Sequence, residues 1–228
     1  MKKFKCNHVL GLLLLAGVLT GCGSDNDTAS NTYEVTVSNL THNQPLSPVG
    51  VLLHSESTHL WAIGSPASVE LEDLAEGGSN AALLTLDDGY KEASVSGNGL
   101  IMPGNNETIT LSTSDNGSNL YLSIASMLIN TNDGFIGVTG LEISNLKAGD
   151  SMNMTLSVFD AGTEVNSELV NTIPGQMGEG FNAERIDSNL VSHHSGVVGM
   201  DDGHSDSVLD SSHKFDNPAV LLTITRLD

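Results

Sequence analysis

The sequence predicts an all-β fold, a sandwich or a barrel, and three observations carry that reading. Short runs rich in Val, Ile, Leu and Thr recur along the chain, several of them alternating apolar and polar residues at the period of a strand. Clusters of Gly, Asn, Asp and Ser separate them. A helical pattern is confined to one patch, and neither a fixed-period repeat nor heptads occur.

Six strands are expected in order: residues 33–40 (YEVTVSNL), 107–113 (ETITLST), 120–129 (LYLSIASMLI), 135–143 (FIGVTGLEI), 152–159 (MNMTLSVF) and 219–227 (AVLLTITRL). Each is short and apolar enough to bury at least one face. Asp88-Gly89, Asn98-Gly99, Asn116-Gly117 and Asp133-Gly134 are turn dipeptides that close hairpins or loops. The helical patch begins at Ser65-Pro66-Ala67, read as an N-cap with proline in the first turn. It stops at Gly77-Gly78, with Val69, Leu71 and Leu74 available for packing. Residues 167–217 are polar and weakly patterned, which predicts extended loops with a short strand near Asn189 to Val191.

The first 22 residues resemble a bacterial lipoprotein export signal. Lys2, Lys3 and Lys5 form a charged start, Val9 to Val18 an apolar stretch, and Leu19-Thr20-Gly21-Cys22 a lipobox. The apolar stretch is well short of the ~20 residues that span hydrocarbon, so cleavage before Cys22 is expected rather than a membrane-crossing anchor. The resemblance implies a signal peptide over residues 1–21 and lipidation of Cys22, which would hold the protein to a membrane by several buried chains. Gly23 stands where inner-membrane retention typically uses Asp, which implies the outer membrane in a cell that has one. Residues 22–32 are small and polar and read as a flexible tether, leaving residues 33–228 as one domain.

Loss of Lys2, Lys3 and Lys5 with the leader takes the formal charge from −20 to −23. Nucleic acid is excluded as a partner by that sign, whereas a cation suits it. The only cysteines are Cys6 and Cys22, so the mature domain has no disulfide. Its stability must come from the core or from a bound metal.

Several blocks, in order, are similar to the spondin N-terminal domain. Residues 33–41 (YEVTVSNLT) with 44–48 (QPLSP) resemble its opening strand and turn. Ala67-Ser68, 71–78 (LEDLAEGG) and 101–104 (IMPG) follow, then the most specific block, 122–133 (LSIASMLINTND). Residues 160–164 (DAGTE) and 217–226 close the series. The resemblance implies an eight-stranded antiparallel sandwich like that of calcium- and phospholipid-binding domains, with one short helix and one calcium site at the end of the sandwich. Its ligands map to Asp133, Asp160 and Glu164; glutamate at 164 departs from the family's aspartate by one methylene. Gly134 and Phe135 stand where the family often carries tryptophan.

Those residues also suit calcium on chemical grounds. A hard cation takes six to eight oxygens, and Asp133 and Asp160 each end an apolar run at a polar turn, with Glu164 beyond Gly162. Turn carboxylates capping backbone amides are the competing reading. A second candidate is the acidic segment holding His193, His194, His204 and His213, whose imidazoles suit zinc or copper although their spacing matches no standard zinc pattern. His42, His54 and His59 are expected at strand edges or the surface. Adjacent acids such as Glu72-Asp73, Asp87-Asp88 and Asp201-Asp202 are expected to be hydrated.

No G-x-S-x-G, G-x-x-x-x-G-K or H-E-x-x-H occurs, and the mature domain offers no free thiol. The expectation is therefore a non-enzymatic, calcium-binding lipoprotein of the cell envelope. By analogy with animal matrix members it would serve adhesion or matrix binding through an unidentified protein or glycan ligand. The alternatives are a metal-dependent hydrolase or a zinc- or copper-handling lipoprotein using the histidine segment, and a purely structural envelope protein.

Overall fold

The computed structural model describes residue 1 and residues 30–55, 59–86, 89–114 and 119–228. The leader, Cys22, most of the tether, the Asp87-Asp88 pair and Asn116-Gly117 lie outside the described residues. Ten strands are described: β1 (Asn31–Asn39), β2 (Gly50–His54), β3 (Lys91–Ser96), β4 (Asn106–Thr113), β5 (Tyr121–Met127), β6 (Gly134–Glu142), β7 (Ser151–Leu156), β8 (Val158–Asp160), β9 (Ser192–His193) and β10 (Val220–Arg226). They form two antiparallel sheets, one ordered β4-β1-β10-β7 and the other β3-β2-β5-β6-β8-β9. The chain is an all-β sandwich.

Alternation sets the inner face of the first sheet. Tyr33, Val35 and Val37 of β1 are fully buried while their neighbours are only partly so, as a period of two requires. They meet Leu122, Ile124 and Ile136 of the second sheet in one apolar layer that also holds Leu222 and Ile224. Strand β5 reads as a continuous run because both its faces are covered: Ala125 looks away from the sandwich core, into a second cluster with Leu71, Leu74, Phe135 and Trp61.

That second cluster lies under helix α1 (Val69–Gly77) and the short helix α2 (Ala81–Thr85). Sequence reading placed the N-cap of α1 three residues early. Ser68 is the cap, its Oγ accepting from the Leu71 amide at 3.2 Å, and Gly78 ends the helix in the left-handed region at φ 70°. Leu71 and Leu74 are buried as expected, but Val69 is exposed on the outer side of the first turn.

Other departures have local causes. Asn31 and Thr32, expected in the tether, already pair with Thr113 and Ser112 of β4. Strands β2 and β3 and helix α2 were not expected; β2 is short and buried throughout, so it shows no alternation. The single run 152–159 divides at Ser157, with β7 in one sheet and β8 in the other. The short strand foreseen near 189–191 lies at 192–193. His54 is buried beside Ser123, with Nε2 to Oγ 3.0 Å. Glu72 is also buried, held by Arg185. A helix exposes a residue pair to sides about 100° apart, so Glu72 can face inward while Asp73 does not.

Candidate metal centre

The register of β6 against β8 builds the centre. Gly134 stands opposite Asp160, so Asp133, one residue before β6, and the loop that leaves β8 come together at one end of the second sheet. The Asp133 carbonyl accepts from the Ala161 amide at 3.2 Å. Beyond it the D-A-G-T-E loop folds over the Asp133 side chain. Its Oδ2 accepts from the Thr163 amide at 2.8 Å, the Thr163 hydroxyl at 3.2 Å and the Glu164 amide at 3.1 Å. Gly162 makes this turn with φ 70°, and its amide donates to Asp160 Oδ1 at 2.8 Å. Asp160 Oδ2 accepts from the Asn166 side-chain amide at 2.7 Å.

All three sequence-predicted ligands are buried: Asp133 completely, Asp160 with 7% and Glu164 with 9% of its surface exposed. Their foremost charged neighbours differ. Asp133 and Asp160 oppose each other. Burial first, and the Asp160 charge second, push the Asp133 carboxyl up to about 7 against the Thr163 and Glu164 donors. Burial pushes the Glu164 carboxyl up to about 7 also, followed by the charges of Glu76 and Glu179, while Asn132 eases it.

The turn-capping reading describes half of Asp133 well, since Oδ2 is fully engaged. The other oxygen, Oδ1, is buried and has no hydrogen-bond partner. Asn166 Oδ1 is buried without a partner as well, while the Glu76 carboxyl has the Asn182 amide and the Thr163 side chain beside it. Buried oxygens are nearly always satisfied, so two orphan acceptors, Asp133 Oδ1 and Asn166 Oδ1, beside like-charged carboxylates mark a place suited to a positive charge. Ion pairs among the described residues do not supply it, because Arg185 binds Glu72 and Lys214 binds Asp202. Carboxylate and amide oxygens are the kind of donor a hard cation takes. Among the described residues, however, no three His, Cys, Asp or Glu side chains are grouped so that they could hold a metal ion.

The four candidate histidines have separate surroundings. His193 is exposed on β9 and stacks on Phe159 with ring centres 5.2 Å apart. His194 is buried edge-on to Phe215, its Nδ1 accepting from the Gly196 amide at 2.9 Å. His204 is half-buried, and His213 lies 3.0 Å from Asp210 in a 3-10 turn. His194 nevertheless belongs to the centre: it sits against Gly134, its Nε2 has no partner, and burial lowers its proton affinity although the nearby Asp160 charge works the other way.

Below the centre, Phe135 is fully buried and meets Trp61 edge to face at 5.2 Å. The indole thus arrives from a distant loop rather than from position 134 or 135. The Spondin_N family profile matches residues 33–195, from β1 through β9 and across the whole centre. The chain belongs to the Spondin_N family. A comparison with curated proteins finds no match. The Spondin_N match ends before β10, whose pairing with both β1 and β7 still makes it integral to the first sheet.

Sequence reading missed Asn166, Glu76 and the placement of His194. Asn166 carried no signal beyond lying two residues past the D-A-G-T-E segment. Glu76 carried one: Glu72 and Glu76 are four apart on a helix whose buried side also holds Leu71 and Ala75, so two acids share an inward face.

Proposed function

We infer that this Spondin_N domain is a non-enzymatic calcium-binding module, held to the cell envelope through lipid on Cys22, with the outer membrane as its site. Its work is adhesion or matrix attachment through a protein or glycan ligand. Support for the metal comes chiefly from Asp133, whose buried Oδ1 lacks any donor beside a second carboxylate. Asp133, Asp160 and Glu164 would hold the ion once its charge drew the three carboxylates together, with Asn166 offering a neutral oxygen. Bound calcium would neutralise the repelling carboxylates and tie the D-A-G-T-E loop to the end of the second sheet. Support for the envelope comes from the leader and lipobox, and support for adhesion from the animal members of the family.

Thermal unfolding of the full-length chain in EDTA and in added calcium tests the metal reading, with zinc as control. Calcium at ~100 times its dissociation constant adds roughly 2.7 kcal/mol, a rise of about 5–10 °C for a domain of this size. Asp160→Asn should abolish the rise. Zinc stabilisation without a calcium effect would move the site to the histidine segment.

A further inference from the structure

We propose that the groove between the two sheets beside β8 is a binding site for a neutral glycan, with Trp61, Phe159 and His193 as its stacking wall. The proposal rests on the adhesion reading above, which it narrows from a protein or glycan ligand to an uncharged glycan, and it does not depend on the calcium centre.

The groove follows from the topology. The run 151–160 changes sheets at Ser157, so β8 pairs with β6 only from Gly134 to Ile136 while β7 runs in the other sheet. From Gly137 onward that edge of β6 has no strand beside it among the described residues. What is left is a cleft of about 330 Å³. That lies at the low end of the ~300–1,000 Å³ of small-molecule sites and suits a sugar residue.

Its chemistry selects the ligand. Trp61, Phe159 and His193 stand in a row, with ring centres 6.1 Å apart for the first two and 5.2 Å apart for the last two. The hydroxyl residues Thr139, Thr155 and Ser157 border them. None of the ten described lining residues is Asp, Glu, Lys or Arg, in a chain that carries 28 acids. A pyranose matches both kinds of lining. Its C–H bonds, made slightly positive by the ring oxygens, rest on the negative face of an aromatic ring, and its hydroxyls exchange hydrogen bonds with Thr and Ser. An acidic glycan would meet the repulsion of the chain's −20 charge, and a cationic ligand would find no carboxylate in the groove. The wall is also held before any ligand arrives. Thr139 Oγ1 accepts from the Leu60 amide at 2.6 Å, which pins the loop carrying Trp61 to β6. A Cβ at Gly137 would fall 2.5 Å from the indole, so glycine is what lets the ring lie this close to the strand.

Trp61 is the chain's only tryptophan, so its emission reads the groove directly. The full-length chain is titrated in EDTA and in calcium with neutral tetrasaccharides of glucose, galactose, mannose and N-acetylglucosamine up to about 10 mM, with heparin and laurate as controls. Expected is a saturable change in emission with at least one neutral sugar, equal in EDTA and in calcium and absent with heparin. His193→Ala removes an exposed ring and Thr155→Glu sets a charge at an exposed rim position, so both should fold, as melting will check. Each should weaken the binding at least about tenfold. Flat emission with every neutral sugar, a response to heparin or laurate alone, or wild-type affinity in either variant overturns the glycan groove and leaves adhesion to a protein. Sugar binding without attachment of chain-coated beads to a surface bearing that sugar would instead overturn the adhesion reading and uphold the groove.

Discussion

Three donors reach the Asp133 side chain, and all of them reach the same oxygen. The turn that delivers them depends on Gly162. A Cβ there would meet the Leu190 carbonyl oxygen well inside contact distance, the Leu190 nitrogen at 2.7 Å and Ser188 Oγ at 2.8 Å, in a backbone region that L side chains rarely adopt. Gly162→Ala should therefore cost at least about 2 kcal/mol by combining strain with overpacking. Urea unfolding in EDTA will measure it, and a loss below 0.5 kcal/mol, within the ~0.5 kcal/mol expected of a surface change, would mean the loop can rearrange freely. The D-A-G-T-E segment made this turn legible from sequence, because Gly between Asp and Thr is a turn signal. Nothing in the segment indicated that Glu76 of α1 would be the foremost charge acting on Glu164.

At the scale of elements, α1 is fastened to the loop that covers the centre. Arg185 grips both oxygens of Glu72, which is 2% exposed, and the next turn of the helix presents Glu76 to the Asn182 amide. Removing one partner of such a pair strands the other charge in the interior. Arg185→Met should destabilise the domain by about 3 kcal/mol, while the paired change Glu72→Met/Arg185→Met should recover much of that loss. A double-mutant cycle by chemical unfolding gives the coupling, and a single-variant loss near zero would show that water replaces the guanidinium. The same variant loosens the loop carrying Ile186 and Asn189, which hydrogen-bond Thr163 and Gly162, so calcium affinity should fall with it.

Element boundaries were legible where one face is wet and obscure where both are dry. Strands β1 and β4 were readable because alternation is an imprint of solvent on one side. Strand β2 is buried throughout, and a short apolar run of that kind carries no period. The division of 151–160 into β7 and β8 could not be read at all, since a strand that changes sheets keeps its composition.

For the whole molecule, the buried carboxylates predict how stability follows pH. Asp133 and Glu164 hold their protons up to about 7 when folded, against ordinary values of 3.8 and 4.5. The folded state thus binds more protons than the unfolded one between those limits, so stability must fall as pH rises through that window. In EDTA the melting temperature should drop from pH 5 to pH 8, and Asp133→Asn should flatten the slope. Calcium needs the carboxylates ionised, so its stabilisation should grow over the same range and fade toward pH 5. A melting temperature in EDTA that climbs steadily from pH 5 to 8 would mean these groups are already ionised and paired.

By itself the sequence determined the all-β class, the family and the identity of the acids at the end of the sandwich, because strand periodicity, turn residues and the D-A-G-T-E segment are local properties. Only the tertiary structure decided which acids share a space. Asp133 comes beside Asp160 through the register of two strands, and the charge of Glu76 acts on Glu164 because a helix packs on the sheet. Those distances are set by contacts between residues far apart along the chain, and burial, which gives each unpaired oxygen its cost, exists only once the layers have closed over it.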